Sequence, residues 1–228
     1  MTMSGLERFL FTFFNGEVAA QYLPDILSGM VVTAAVGIAV VATGLALGLL
    51  LAMLRTLQRS ALTLPIVAFV DFMRALPPLV MIILFFFAFP LVGVAMSAFV
   101  AVWLALSLVL AAYAEECIWG GILTLPRGQW EAARSTGLTW LQTMAAVILP
   151  QAFRIALPPL TNRIISITKN AALGSVVGLN EILNNAQSAS SLAGNPTPLV
   201  VGAAAYLVIF VPVILAARRI EARMARGA

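Results

Sequence analysis

Long apolar stretches separated by short polar interruptions run through almost all of the 228 residues. The first covers residues 26–54, rich in Val, Ala, Leu and Gly, and stops at Arg55 and Arg59. A second, 62–89, carries Asp71 and Arg74 early and then the helix-disturbing pair Pro77-Pro78 before the run LVMIILFFFAF; Pro90 and Gly93 close it. The third, 94–114, leads to Glu115 and Glu116. The fourth, 147–177, is the most polar, with Pro150, Pro158, Pro159, Arg154, Asn162, Arg163, Lys169 and Asn170, and the fifth, 199–217, ends in Arg218, Arg219, Arg223 and Arg226. A helix needs about 20 residues to cross a hydrocarbon core of roughly 30 Å, and each stretch is long enough. The pattern predicts an all-α integral membrane protein with five transmembrane helices.

The interruptions are of different kinds. Residues 1–25 lack the charged start, apolar run and small-residue cleavage site of a secretory signal. Their FLFTFF is short and gives way to Asn15, Gly16 and Glu17, so they read as an N-terminal interfacial segment ahead of a transmembrane domain at 26–217 and a basic tail at 218–228. The stretch WGGILTLPRGQW is full of turn formers and reads as a loop, as do residues 181–198, which carry no charge after Glu181. Between them, Glu131 to Met144 has good helix formers. Trp130, Ala133 and Leu138 are available for one face, and Glu131, Arg134 and Gln142 for the other, which predicts a short helix outside the membrane. Basic residues follow the first, third and fifth spans, so the N-terminus is expected outside and the C-terminus inside.

Composition narrows the function classes. With 62% hydrophobic and 10% charged residues, the chain has too little polar surface to cover a soluble globule. Its net charge of +4 comes from arginines beside apolar segments, which topology explains better than nucleic-acid binding. There is no His and one cysteine, Cys117, so a disulfide within the chain, a His/Cys metal cluster and a Ser-His-Asp triad are all excluded. A phosphate-binding loop needs Gly-Lys-Ser/Thr, whereas the only lysine, Lys169, precedes Asn170; ATP hydrolysis cannot reside here.

The stretch GQWEAARSTGLTWLQTMAAVILPQAFRIALPP, spanning 128–159, resembles the cytoplasmic loop signature of permease subunits in bacterial ABC importers. Its wording is nearest to the polar amino acid uptake branch, the histidine, glutamine, glutamate and arginine type. The Glu-Ala-Ala triplet, Gly137 and Leu149-Pro150 fall at the family spacing, with Val147 where Ile is usual. GMVVT at 29–33, RALPPLV at 74–80, AYAEE at 112–116 and NPTPL at 195–199 extend the resemblance over nearly the whole chain. It implies a type I importer permease fold with a coupling helix near 128–142, in which Glu131, Ala132, Ala133, Arg134 and Gly137 engage a separate ABC ATPase. Small alanines suit close helix approach, an acid suits the start of a helix, and the glycine lets the chain turn back to the membrane. The further partners implied are a periplasmic or extracellular amino-acid-binding protein and a second permease copy or paralogue, alongside membrane lipid, in the bacterial inner membrane. ATP and Mg belong to the ATPase, and no cofactor or metal is expected in this chain.

Charges at membrane depth are the candidates for solute contact. Lys169 and Asn170, with Asn162 nearby, either face the translocation route and bind a carboxylate, or are structural, with Lys169 paired to Glu116 or Glu181 or reaching to an interface. Related permeases often have Asp where this chain has Asn170, which favours a neutral or acidic solute. Asp71 and Arg74 stand at i,i+3 and are expected to pair. Glu115 and Glu116 are expected to pair with Arg127 or Arg134 rather than to do acid-base chemistry, and Trp119, where relatives commonly have Arg, reads as an interfacial anchor. An ion-coupled secondary carrier and a non-transporting scaffold are the alternatives. The absence of internal repeats and of an acid pair within the spans weighs against the first, and a docking helix weighs against the second.

Overall fold

The computed structural model describes residues 4–226, which contain no strand. In chain order the helices are α1 (Gly5–Phe13), α2 (Gly16–Arg55), α3 (Ser60–Ala75), α4 (Pro78–Ile83), α5 (Ala98–Leu123), α6 (Arg127–Ser135), α7 (Trp140–Thr143), α8 (Leu149–Lys169), α9 (Ile182–Ala193) and α10 (Thr197–Arg226). Wider turns at Leu84–Ala88 and Met144–Ile148 and tighter ones at Phe89–Val92 and Asn170–Val177 extend α4 and α8. Four stretches are long and apolar enough to cross a membrane, namely Gly5–Arg55, Ala98–Leu123, Trp140–Val177 and Thr197–Met224. Ser60–Ala75 and Pro78–Val92, broken at Leu76-Pro77, bring the number to as many as five. Leu76 takes the extended backbone that a following proline demands.

Element boundaries depart from the sequence expectations where a polar residue caps or pairs instead of ending a helix. The first long helix begins ten residues early because the Asn15 side chain accepts from the Glu17 and Val18 amides, which makes it an N-cap. The third span does not stop at Ala114: α5 continues to Leu123, since Glu115 and Glu116 are neutralised by arginines from other helices. The expected WGG turn is therefore helical. Residues 181–198 are not a loop but hold α9, whose first turn is capped by Glu181 accepting from the Leu183 and Asn184 amides at 2.9 and 2.7 Å. The tail expected at 218–228 continues α10 to Arg226, and residues 227–228, like 1–3, lie outside the described residues.

The chain divides into two compact units. One comprises the chain up to Ala39, Pro78–Leu106 and Thr168–Leu215. Its core joins Ile26, Ile182 and Ala205, flanked by Met30, Val201, Tyr206 and Ile209. Here α2 lies so close to the start of α9 that a Cβ on Gly29 would stand 2.9 Å from the Glu181 carbonyl carbon. The Thr33 hydroxyl accepts from the Ile182 amide at 3.3 Å and donates to the Gly29 carbonyl at 2.9 Å. The Asn185 amide donates to the Asp25 carbonyl, and the Tyr206 hydroxyl donates to the Glu181 carboxylate. Burial pushes the Glu181 carboxyl above the usual carboxylate range, and these hydrogen bonds draw it partly back. At the chain's start, the capping box of Ser4 and Glu7 opens α1, and Asn195 and Thr197 hold its end through the Phe11 and Thr12 carbonyls.

The other unit comprises Val40–Pro77, Ser107–Ile167 and the chain from Ala216. Its core is Ala52 of α2, Ile118 and Ile122 of α5, and Met144, Ile148, Ala152 and Ala156 leading into and along α8. Small residues set the helix spacing. Gly44 and Gly48 of α2, four apart, receive Leu110, Ala111 and Ala114 of α5; a Cβ on Gly48 would lie 2.6 Å from that of Ala114. The Thr43 and Ser107 hydroxyls join the same two helices at 2.6 Å. On the next face of α5, a Cβ on Gly121 would stand 2.5 Å from the Ala152 carbonyl oxygen, while one on Gly120 meets nothing within 4 Å. Adjacent glycines therefore give an internally controlled test. Gly121→Ala should destabilise the solubilised protein by about 1–3 kcal/mol through forced separation of α5 and α8, whereas Gly120→Ala should be neutral or raise stability by up to about 1 kcal/mol through helix propensity. Thermal melting in detergent, monitored by near-ultraviolet circular dichroism, distinguishes the pair.

Candidate functional site

The predicted docking segment is two helices rather than one. α6 ends at Ser135, Gly137 turns the chain at φ +88°, and Thr139 starts α7 with a capping box shared with Gln142. The Arg134 guanidinium closes the turn by donating to the Leu138 carbonyl at 2.8 Å. A continuous helix is impossible here because Gly137 occupies the left-handed region that glycine tolerates, while Thr139-x-x-Gln142 supplies the start of a new helix. Glu131, Ala132, Arg134 and Gly137 are exposed, whereas Ala133 is buried. Trp130 and Trp140 seat the two helices on the core built from Ile118, Ile122, Met144 and Ile148. The outward face is thus polar and small, and the inward face is aromatic. Beside it lies an open groove of about 630 Å³, lined by residues that include Gln58, Trp119, Arg127, Trp130, Glu131 and Trp140.

The groove's wall is fixed by charge. The Arg55 guanidinium sits 2.9 Å from the Glu115 carboxylate and over the Trp119 ring at 4.7 Å. Glu115 is fully buried and the Arg55 side chain is 20% exposed. Neither glutamate takes the partner expected from sequence: Glu115 goes to Arg55, and Glu116 goes to Arg74 at 2.7 Å, not to Arg127 or Arg134. Arg74 therefore does not pair with Asp71, its neighbour one turn back on α3, but reaches across to the half-exposed Glu116 carboxylate of α5. Trp119 is not simply an interfacial anchor, since its ring stacks on Arg55.

The residues expected to meet solute lie elsewhere. Asn162 is exposed on α8 and its amide donates to the Pro158 carbonyl at 3.1 Å. Lys169 is exposed at the last position of α8, where the helix dipole favours a cation, and Asn170 is half-buried as the next turn begins. Neither Glu116 nor Glu181 holds Lys169, because Arg74 takes the first and Tyr206 and two amides take the second. The structure places Asn162 in one compact unit and Lys169 and Asn170 in the other.

The exposed two-helix segment is seated on an apolar core, and comparison with known proteins shows the family. Residues 44–226 match the family described as binding-protein-dependent transport system inner membrane component. The chain belongs to this family. Over 214 residues, 92% of this chain and 98% of the relative, it is 32% identical to a probable glutamine ABC transporter permease protein, GlnP, of Bacillus subtilis (strain 168). It is 35% identical over 174 residues, 76% of this chain and 77% of the relative, to the probable amino-acid ABC transporter permease protein YckA of the same organism. Among solved structures, that of an amino acid ABC transporter with histidines matches with a TM-score of 0.80 at 29% identity, covering 98% of this chain and all of that one. The inward-facing MetNI methionine ABC transporter shares the fold at 20% identity and a TM-score of 0.70. This inner membrane component is therefore a permease subunit, which does not itself catalyse a reaction, and the ion-coupled carrier alternative is left without support.

Sequence reasoning missed the Arg55–Glu115–Trp119 group. A signal was present: Glu115 and Trp119 stand at i,i+4 on a helix, and Arg55 ends the first apolar stretch. Breaking one partner of such a pair leaves a buried charge unmatched. Arg55→Met should lower the stability of the solubilised permease by about 3 kcal/mol, and Arg55→Met combined with Glu115→Leu should recover most of that loss. Equal melting temperatures for the single and double variants would show that the pair carries no such constraint.

Proposed function

We propose that this protein is the membrane-embedded permease of an ATP-driven, binding-protein-dependent importer for polar amino acids, with α6 and α7 as the part on which the ATPase subunits act. The observation that carries this reading is the exposed Glu131-Ala132-Arg134 face, turned away from a Trp-anchored core in a chain whose relatives are named as amino-acid permeases. ATP and Mg sit on the separate ATPase, which closes on nucleotide and pulls on these helices. A binding protein delivers the amino acid on the opposite side of the membrane. A second copy or a paralogue completes the route, with lipid around the pair. Arg55, Arg59, Arg127 and Arg134 stand at helix ends, and Arg218 and Arg219 in the last three turns of α10, where the positive-inside rule assigns them to the cytoplasm, which supports an outside N-terminus and an inside C-terminus. Alternating access is then a population shift between inward-open and outward-open states, driven by nucleotide occupancy. Lys169, Asn170 and Asn162 are proposed to contribute polar groups along the route for a neutral or acidic solute.

The test is reconstitution of the permease with its ATPase and binding protein in liposomes. Ala132→Trp and Glu131→Arg change only exposed positions, so the permease should insert and purify normally. Solute-stimulated ATP hydrolysis and uptake should both fall by about tenfold or more, as they do when the centre of an interface is spoiled. Unimpaired uptake in both variants would defeat the assignment of these helices.

A further inference from the structure

Two arginines from different helices meet on one tyrosine ring within the membrane span. The Arg163 guanidinium of α8 lies 4.4 Å from the ring centroid of Tyr113 on α5, and that of Arg74 on α3 lies 5.6 Å from it. Arg74 is neutralised by Glu116 at 2.7 Å. Arg163 is in neither of the two ion pairs found among the described residues, so the group carries one uncompensated positive charge. All four residues belong to the same compact unit.

Depth and exposure together define what this group faces. Tyr113 is ten residues inside the Leu123 end of α5, about 15 Å along a helix long and apolar enough to cross a membrane. Yet Arg163 and its neighbour Asn162 are exposed, and the Arg74 and Glu116 side chains are 33% and 45% exposed. Ionised groups at that depth do not face lipid tails; they turn to a water-filled cavity or to another protein surface. With Arg163 exposed and held over the Tyr113 ring, its guanidinium can fork a carboxylate.

We propose that Arg163, held on Tyr113 beside the Arg74–Glu116 pair, binds a carboxylate of the transported solute and biases this permease toward acidic amino acids over their amides. The inference rests on the importer reading above and names the substrate class. Arg163 is the specificity-determining residue, and Tyr113 is the positioning residue that fixes its edge.

The test uses the permease–ATPase complex in nanodiscs without the external binding protein, so that only the permease discriminates, with radiolabelled L-glutamate and L-glutamine as probes. Glutamate should bind about tenfold more tightly than glutamine, the effect of one charge-assisted hydrogen-bonded contact. Arg163→Gln should bring the ratio close to one, and Arg163→Lys should keep a reduced preference, since it retains the charge without the fork. Equal binding of the two solutes by the unmodified complex overturns the proposal, as does an unchanged ratio in Arg163→Gln; where that variant does not assemble, the unmodified ratio and Arg163→Lys decide. Solute-loaded binding protein is then added to the unmodified complex. Stimulated ATP hydrolysis without a glutamate preference sinks the site alone, whereas no stimulation sinks the importer reading itself.

Discussion

Ionised groups within a helix bundle that sits in hydrocarbon must be matched by opposite charge, and two cross-helix pairs satisfy that constraint here. Glu115 and Glu116 are adjacent on α5 and so project about 100° apart around it. Glu115 shares a side of the helix with Trp119 at i,i+4, and together they hold Arg55 of α2. Glu116 shares the next side with Tyr113 at i,i+3, and together they hold Arg74 of α3. Each acid is thus one end of a strut to a different helix. Because both charges are matched, α5 continues to Leu123 and carries its apolar last turns onto the core beneath α6 and α7.

The struts work only because the helices approach closely. In a lipid setting there is little hydrophobic gain from helix association, and van der Waals contact between small residues takes its place. Gly44 and Gly48 bring α2 onto Leu110, Ala111 and Ala114, and Gly121 brings α5 onto the Ala152 backbone. These contacts set the separations at which an arginine side chain spans from one helix to a carboxylate on the next.

The fold was legible where it depended on length and hydrophobicity. The apolar stretches, the break at Pro77 and the exposed helical segment around Glu131 all follow from local sequence. What was not legible depended on partners distant in the chain. Glu115 and Glu116 read as the end of a span because nothing local reveals Arg55 and Arg74, which lie 60 and 42 residues away. Asn15 reads as a break and acts as a cap, and Glu181 reads as the lone charge of a loop and opens α9. The Thr139-x-x-Gln142 capping box was readable and shows why the docking segment is two helices, but the good propensities on either side of Gly137 masked it. For the solute site, the rarity of lysine drew attention to Lys169. One arginine of twelve carries no such signal, and Arg163 stands out only once Tyr113 is seen beneath it.

The placement of α6, α7 and the arginine–tyrosine group in one compact unit bears on how a displacement of these helices is transmitted. Trp130 and Trp140 pack against the core to which Ile118 and Ile122 belong, and from Ile122 the α5 backbone leads without interruption to Tyr113, nine residues or about 14 Å away. Helical backbone at that length is stiff, and the arginine struts and glycine contacts lock α5 to α2, α3 and α8 along the same interval. A displacement of α6 and α7 is therefore carried toward Arg163 as a movement of packed helices rather than absorbed in a flexible joint. The left-handed turn at Gly137 does not weaken this link, since the Arg134 guanidinium bridges it to Leu138 and both flanking helices have their own aromatic anchor.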